Sequence, residues 1–182
     1  MVILDMTVVN VSLPYMMGAL GATPDQITWV LTSYIVAEGV VIPISGFLTE
    51  RFGRKRVILV SVAGFVAASM LCGQSRTLAQ IVIFRLFQGA FGGSVIPLSQ
   101  AIMVNLFDPK SRGKAMAIWG IGILLGPIMG PTIGGFITDH LGWRWVFYIN
   151  VPIGIINLAM IAASVVQGAG MGMIFVPLSV LA

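Results

Sequence analysis

The chain has 182 residues, of which 58% are hydrophobic and 9% charged, with a formal net charge of +4 and a mean hydropathy of +1.01. A soluble domain of ordinary composition carries about 25% charge, so a water-facing surface cannot be built from this sequence, and a soluble globular domain is excluded. The positive balance does not argue for nucleic acid, because most of the cations sit in two short segments, the pattern of membrane topology.

A spanning helix needs about 20 mostly apolar residues. The first such run is 2–20; it opens MVILDMTVV, without the basic n-region of a secretory signal. GATPDQ breaks the pattern, and the second run covers 27–49 with one acid, Glu38, near its centre. The segment Gly46 to Arg56, GFLTERFGRKR, holds Glu50, Arg51, Arg54, Lys55 and Arg56. It cannot lie in hydrocarbon, so it reads as a short wet turn at a membrane surface. The third run is 57–73, the short turn QSRT follows, and the fourth run is 78–106 with Arg85 inside it. DPKSRGK, from Asp108 to Lys114, reads as a second polar loop, and the fifth run is 115–138. DHLGWRW then carries Trp143 and Trp145, suited to an interfacial belt, before a sixth run at 146–166.

Cation counting orients these runs. Arg51, Arg54, Lys55, Arg56, Lys110, Arg112 and Lys114 fall on one side, and only Arg76 and Arg144 on the other. The rule that basic loops stay inside predicts six spans with a cytoplasmic N-terminus in a plasma membrane. From Trp145 to Ala182, 38 residues carry no formal charge. As one helix they would extend about 57 Å, nearly twice a hydrocarbon core of about 30 Å. A tight turn at Gln167–Gly168 inside the membrane would be costly, so the expectation is a fragment with sequence missing near Val165–Gly168. Residues 1–166 then form one bundle, and 167–182 a partial further span.

Three ionisable groups fall within the runs. A charge at mid-bilayer costs at least about 2.5–3.5 kcal/mol on insertion scales, so each should face the bundle interior or a wet cavity. Glu38 is the deepest and a candidate proton carrier; the alternative is a structural carboxyl bonded across helices. Asp5 is a second candidate, or an interfacial acid at a helix end. Arg85 keeps its proton and is either a fixed partner for a carboxylate or a side chain snorkelling to the interface. Gln88 and Gly89 share its helical face, which favours an inward orientation.

In the fifth run Gly122, Gly126, Gly130 and Gly134 recur every four residues, with Pro127 and Pro131 beside them and Gly135 following. Phased glycines allow close backbone contact with a neighbouring helix, and each proline favours a bend. Ordinary tight packing without a gating role is the alternative. No HExxH or GxSxG motif is present, the lone His140 reads as interfacial, and the single Cys72 excludes an intrachain disulfide. The sequence therefore suggests neither an enzyme nor a metal or other cofactor.

Five stretches in order resemble the N-terminal half of a major facilitator superfamily transporter of the drug:proton antiporter branch with fourteen spans. They are LDMTVVNVSLP (Leu4 to Pro14), GFLTERFGRKR, RLFQG (Arg85 to Gly89), GILLGPIMGPTIGG (Gly122 to Gly135) and WRWVFYINVPIG (Trp143 to Gly154). The resemblance implies an all-α transmembrane six-helix bundle. It also implies proton-coupled efflux of lipophilic compounds by alternating access, in a bacterial inner membrane. Asp5 and Arg85 match positions tied to proton coupling and substrate passage. Gly126, Pro127, Gly130, Pro131 and Gly134 match the antiporter signature, implied to limit leak and bias direction. Gly46, Arg51, Gly53, Arg54 and Lys55 match a latch between helices, in which Glu50 replaces the usual Asp. Glu38 lies outside these motifs. The implied partners are the lipid bilayer, a small lipophilic substrate, protons, and a C-terminal bundle or periplasmic adaptor. QGAGMGMIFVPLSVLA (Gln167 to Ala182) is similar to a late span of the C-terminal half. Two other readings are an uptake symporter or facilitator for a small metabolite, and a truncated membrane protein that transports nothing.

Overall fold

The computed structural model describes residues 1–161. The expected break at Gln167–Gly168, the partial span 167–182 and the end of the sixth run lie outside the described residues. Seven helices are α1 (Val2–Leu20), α2 (Pro24–Ile27), α3 (Trp29–Phe52), α4 (Arg54–Gln74), α5 (Leu78–Gly92), α6 (Val95–Leu106) and α7 (Pro109–Leu141). A shorter apolar helical stretch, Trp145–Ile161, follows. The described residues contain no strand. Five helical stretches among them are long and apolar enough to cross a bilayer, so the chain is a multi-pass membrane protein.

The connections are tighter than the sequence suggests. Gly21 ends α1 in the left-handed region at φ 61°. Thr23 and Gln26 then cap the next turn reciprocally, with Pro24 at the first helical position. GATPDQ thus starts a short helix instead of merely breaking one. Only Gly53, at φ +84°, separates α3 from α4. The basic segment is therefore two helix ends joined at one residue. Similarly, DPKSRGK is not a loop. Pro109 opens α7, and the Asp108 carbonyl accepts bonds from the Ser111 and Arg112 amides at 2.9 Å each. Lysine and arginine are good helix formers. At 33 residues, α7 measures about 50 Å, longer than a hydrocarbon core of about 30 Å, so its basic first turns can stand in water while still helical.

The fourth run also differs from a single helix. It breaks at Gly93–Ser94 into α5 and α6. Pro97 lacks the N–H that would bond the Gly93 carbonyl, and two adjacent glycines precede the break. The Ser94 hydroxyl bonds Ser61 of α4 at 2.6 Å.

Packing is pairwise: α1 lies against α7, and α5 is held between α3 and α4. The main buried cluster includes Val8, Val9, Met16, Ile27, Val30, Cys72, Ile81, Val146 and Phe147. The outer face of α7 is equally apolar, with Ile118, Ile121, Leu124 and Ile128 all exposed. An apolar exterior around a core that contains polar side chains is what a bilayer solvent demands.

Candidate functional site

Buried side chains from α5 and the Trp145–Ile161 stretch converge on one carboxylate of α1, and α4 joins through the side chain that bonds Asn150. On α1 the buried positions are Val2, Asp5, Val8, Val9, Ser12 and Met16, one face at helical spacing, which carries Asp5 inward. Asp5 and Arg85 are both 0% exposed, and Arg85 Nη1 donates to Asp5 Oδ2 at 2.6 Å. Asp5 is thus not an interfacial acid, and Arg85 does not snorkel. Gln88, one turn beyond Arg85, accepts from Arg85 Nη1 at 2.8 Å and donates from Nε2 to Asp5 Oδ1 at 3.1 Å.

Two further residues complete the network. Asn150 Nδ2 donates to Asp5 Oδ1 at 2.5 Å and to Ser69 Oγ of α4 at 3.0 Å. Ser69 in turn donates to the Phe147 carbonyl at 2.8 Å. Asp5 therefore accepts from three side chains and opposes one fixed cation. An ion pair of this kind is tolerable away from water because its remaining lone pairs are met by further donors. All partners of Asp5 are donors, so the arrangement complements the ionised carboxylate.

The guanidinium is placed by α3. Arg85 Nε donates to the Val30 carbonyl at 3.2 Å. Its plane lies over the Tyr34 ring at 4.3 Å and near Phe147 at 5.8 Å, positions that favour a cation. This approach depends on Gly89, because a Cβ there would overlap the Tyr34 carbonyl oxygen. Gly93 is tight in the same way, 2.8 Å from the Glu38 carbonyl oxygen to a Cβ position. Arg85 Nη2, the Tyr34 hydroxyl and Asn150 Oδ1 are buried without a hydrogen-bond partner among the described residues.

Glu38 stands apart from this network. It is buried, yet no hydrogen bond or salt bridge reaches its carboxyl among the described residues. Of the glycine stripe, three members do what the spacing predicts. A Cβ at Gly126 would lie 2.9 Å from Ile3, one at Gly134 would lie 3.0 Å from the Val8 backbone, and one at Gly130 would overlap Thr7. Thr7 Oγ1 also reaches the Gly126 carbonyl at 3.3 Å, and Ser12 pairs with Thr138 at 2.7 Å. This stripe therefore backs α1 from the side of α7. Gly122 and Gly135 meet nothing within 4 Å. Gly122 instead lines a cavity of about 350 Å³ with Met1, Ser99, Trp119 and Asn157. Pro127 and Pro131 are exposed, and α7 continues through both.

In the basic segment, Gly46 and Arg54 line a cavity of about 230 Å³ with Ser45, Thr49, Pro97 and Leu98. Glu50, Arg51 and Lys55 are exposed, and none forms a salt bridge among the described residues. Sequence reasoning missed Asn150, Ser69 and Tyr34 as site residues. For Asn150 a signal existed: an amide inside an otherwise apolar run, where polar groups are costly.

The Major Facilitator Superfamily profile matches residues 1–165. The chain belongs to the major facilitator superfamily. It is 49% identical over 155 residues to the multidrug export protein EmrB of Haemophilus influenzae, covering 85% of this chain and 30% of that protein. It is 43% identical over 157 residues to the fatty acid resistance protein FarB of Neisseria gonorrhoeae, covering 86% and 31%. It is 42% identical over 160 residues to the Escherichia coli EmrB, covering 88% and 31%. The chain thus spans about 30% of the length of the curated relatives it matches. Within this superfamily member, the buried Asp5–Arg85 pair and the α1–α7 glycine contact both fall inside the matched region.

Proposed function

We propose that this chain supplies the N-terminal bundle of a proton-driven exporter of lipophilic compounds, working by alternating access in a bacterial inner membrane with its N-terminus cytoplasmic. The observation that carries this reading is the ion pair of Asp5 and Arg85, buried and bridged by Gln88 and Asn150. The drug-export names of its relatives support the substrate class. The seven cations on the basic side support the orientation.

The chemistry runs through Asp5. A proton taken up there removes the negative charge opposite Arg85, which keeps its own. It also turns one acceptor oxygen into a donor and removes the charge that strengthens the three bonds to Asp5, so they weaken. The tie between α1, α5 and the Trp145–Ile161 stretch then loosens, and the helices can rearrange around a substrate. Loss of the proton restores the tie. Glu38, buried on α3 without a bonded partner among the described residues, is the second proton-carrying candidate. The glycine contact between α1 and α7 forms a pivot against which α1 shifts. In such transporters substrate sits between two bundles, so the second bundle is a required partner, and a periplasmic adaptor a further one.

The test joins this chain to the remaining length of the Haemophilus influenzae relative and measures ethidium movement in inverted membrane vesicles under an imposed pH gradient. Gradient-driven ethidium accumulation that Asp5→Asn abolishes is the expected result. If Asp5→Asn and Glu38→Gln both leave it intact, the coupling scheme fails. Accumulation that runs in the uptake direction would replace efflux by symport.

A further inference from the structure

A second cavity, of about 470 Å³, is lined by Val41, Leu48 and Phe52 of α3, Arg56, Val57, Val60 and Ser61 of α4, and Ala90, Phe91 and Ser94 on the α5 side. It does not include Asp5, Arg85 or any residue of the network around them. Its walls are apolar, and its one charge, Arg56, stands at the end next to the Gly53 turn. Its two serines do not make it a polar site, because Ser61 and Ser94 bond each other at 2.6 Å. The groove opens outward: Phe52 is 51% and Val60 60% exposed.

We propose that this groove binds one phospholipid with an anionic headgroup, its acyl chain between α3 and α4 and its phosphate on Arg56. Three observations select that occupant. The groove opens on the outer face of a membrane-spanning bundle, so lipid is the surrounding solvent. From Val41 to Phe52 the α3 wall runs twelve residues, about 16 Å at a rise of 1.5 Å per residue. That is close to half of a hydrocarbon core of about 30 Å, the depth of one leaflet. Finally, the charge lies at the wet end. Arg56 is exposed and forms no salt bridge among the described residues, and it stands where a headgroup would sit when the chain points inward. A basic residue at the mouth of an apolar groove between spans is complementary to an anionic headgroup. A substrate-translocation role is not needed for this binding, which holds whether or not the chain moves a solute.

The test is native mass spectrometry of the full 182-residue chain released from micelles doped with phosphatidylglycerol or phosphatidylethanolamine. One retained phosphatidylglycerol per chain is expected, favoured over phosphatidylethanolamine by about fivefold, the weight of one cation near an anionic surface. Arg56→Gln should remove that preference. Lys55→Gln, on the same turn but outside the groove, should keep it. Ala90→Trp should lower retention by filling the groove, with Val60→Trp at the rim as the second variant should Ala90→Trp fail to fold. Equal retention of the two lipids overturns the proposal. So does an equal loss with Lys55→Gln, which would show diffuse surface attraction. Displacement by inorganic phosphate would show a headgroup contact without a chain in the groove, and preferential retention of oleate would show a fatty-acid site; either also overturns it.

Discussion

Asn150 donates to the Asp5 carboxylate from 145 positions further along the chain, at 2.5 Å. Its amide also holds Ser69 at 3.0 Å, so one side chain ties α1, α4 and the Trp145–Ile161 stretch together. Arg85 and Gln88 tie α5 to the same carboxylate. Three helical segments, α1, α5 and the Trp145–Ile161 stretch, therefore meet at one carboxylate, and α4 joins them through Asn150.

Replacing Asn150 with Leu keeps the volume roughly constant and removes two donated bonds. Interhelical hydrogen bonds in membranes average about 0.6 kcal/mol and reach about 1.7, so the expected loss is about 1–2 kcal/mol. Asn150→Leu and Ser69→Ala should be non-additive, since they share a bond, with a coupling of about 0.5–1 kcal/mol. Thermal unfolding of the purified single and double variants in detergent checks both values. Additive losses would mean that the Asn150–Ser69 contact carries no energy.

Breaking the ion pair from one side should be far more damaging. Asp5→Leu leaves Arg85 buried and uncompensated, at a cost of about 3–5 kcal/mol, whereas removing both charges together costs much less. The expected order of stability is wild type, then Asp5→Leu with Arg85→Leu, then Asp5→Leu alone. Cys72 provides the readout. It is the chain's single cysteine, fully buried and 3.6 Å from Gln88 Oε1. Its alkylation by a membrane-permeant maleimide should be slow in the wild type, fastest in Asp5→Leu and intermediate in the double variant.

Much of the architecture is legible in the sequence because the bilayer sets one length and one polarity for every span. The apolar runs at 2–20 and 57–73 lie almost on α1 and α4 for that reason. What composition cannot show is where helices continue past the hydrocarbon. Lys110, Arg112 and Lys114 look like a loop because they are charged, yet they sit in the first turns of α7. The break at Gly93–Ser94 was written in Gly92, Gly93 and Pro97, but an apolar run hides it. For the site, Asp5, Arg85 and Gln88 stand out as polar groups in apolar runs. Which of them meet does not, because Asp5 and Arg85 are 80 residues apart and their contact depends on how α1 and α5 pack. Glu38 has the same sequence signature and joins no bond in the network. Periodicity likewise revealed the glycine stripe but not that Gly122, one turn before the α1 contact, faces open space.

The Gly53 turn makes a separate prediction. Its φ of +84° and ψ of 141° lie where a side chain is strained, and such conformations cost non-glycine residues about 1–3 kcal/mol. Gly53→Ala should therefore lose that amount. Gly46→Ala, seven residues earlier inside α3 with nothing within 4 Å of its Cβ position, should gain about 0.5–1 kcal/mol from helix propensity. Chemical denaturation of the two variants side by side checks the contrast, and a harmless Gly53→Ala would mean that the turn relaxes freely.

The glycine stripe of α7 makes the last prediction, because its members differ in what they touch. A Cβ at Gly130 would overlap the Thr7 hydroxyl and Cβ, while one at Gly122 would meet nothing within 4 Å. Gly130→Ala must push α1 away from α7, and overpacking of this kind costs about 1–3 kcal/mol. It also shifts Thr7 only two residues from Asp5, so the damage reaches the ion pair. Gly122→Ala should instead stabilise the helix by about 0.5–1 kcal/mol, since glycine is the poorer helix former. Combining Gly130→Ala with Thr7→Gly opens the space again and should recover part of the loss, reduced by the ~0.5–1 kcal/mol that a glycine costs inside α1. Thermal unfolding read by Cys72 alkylation separates the three variants. If Gly122→Ala and Gly130→Ala behave alike, the stripe acts through backbone flexibility along α7, and not through its contact with α1.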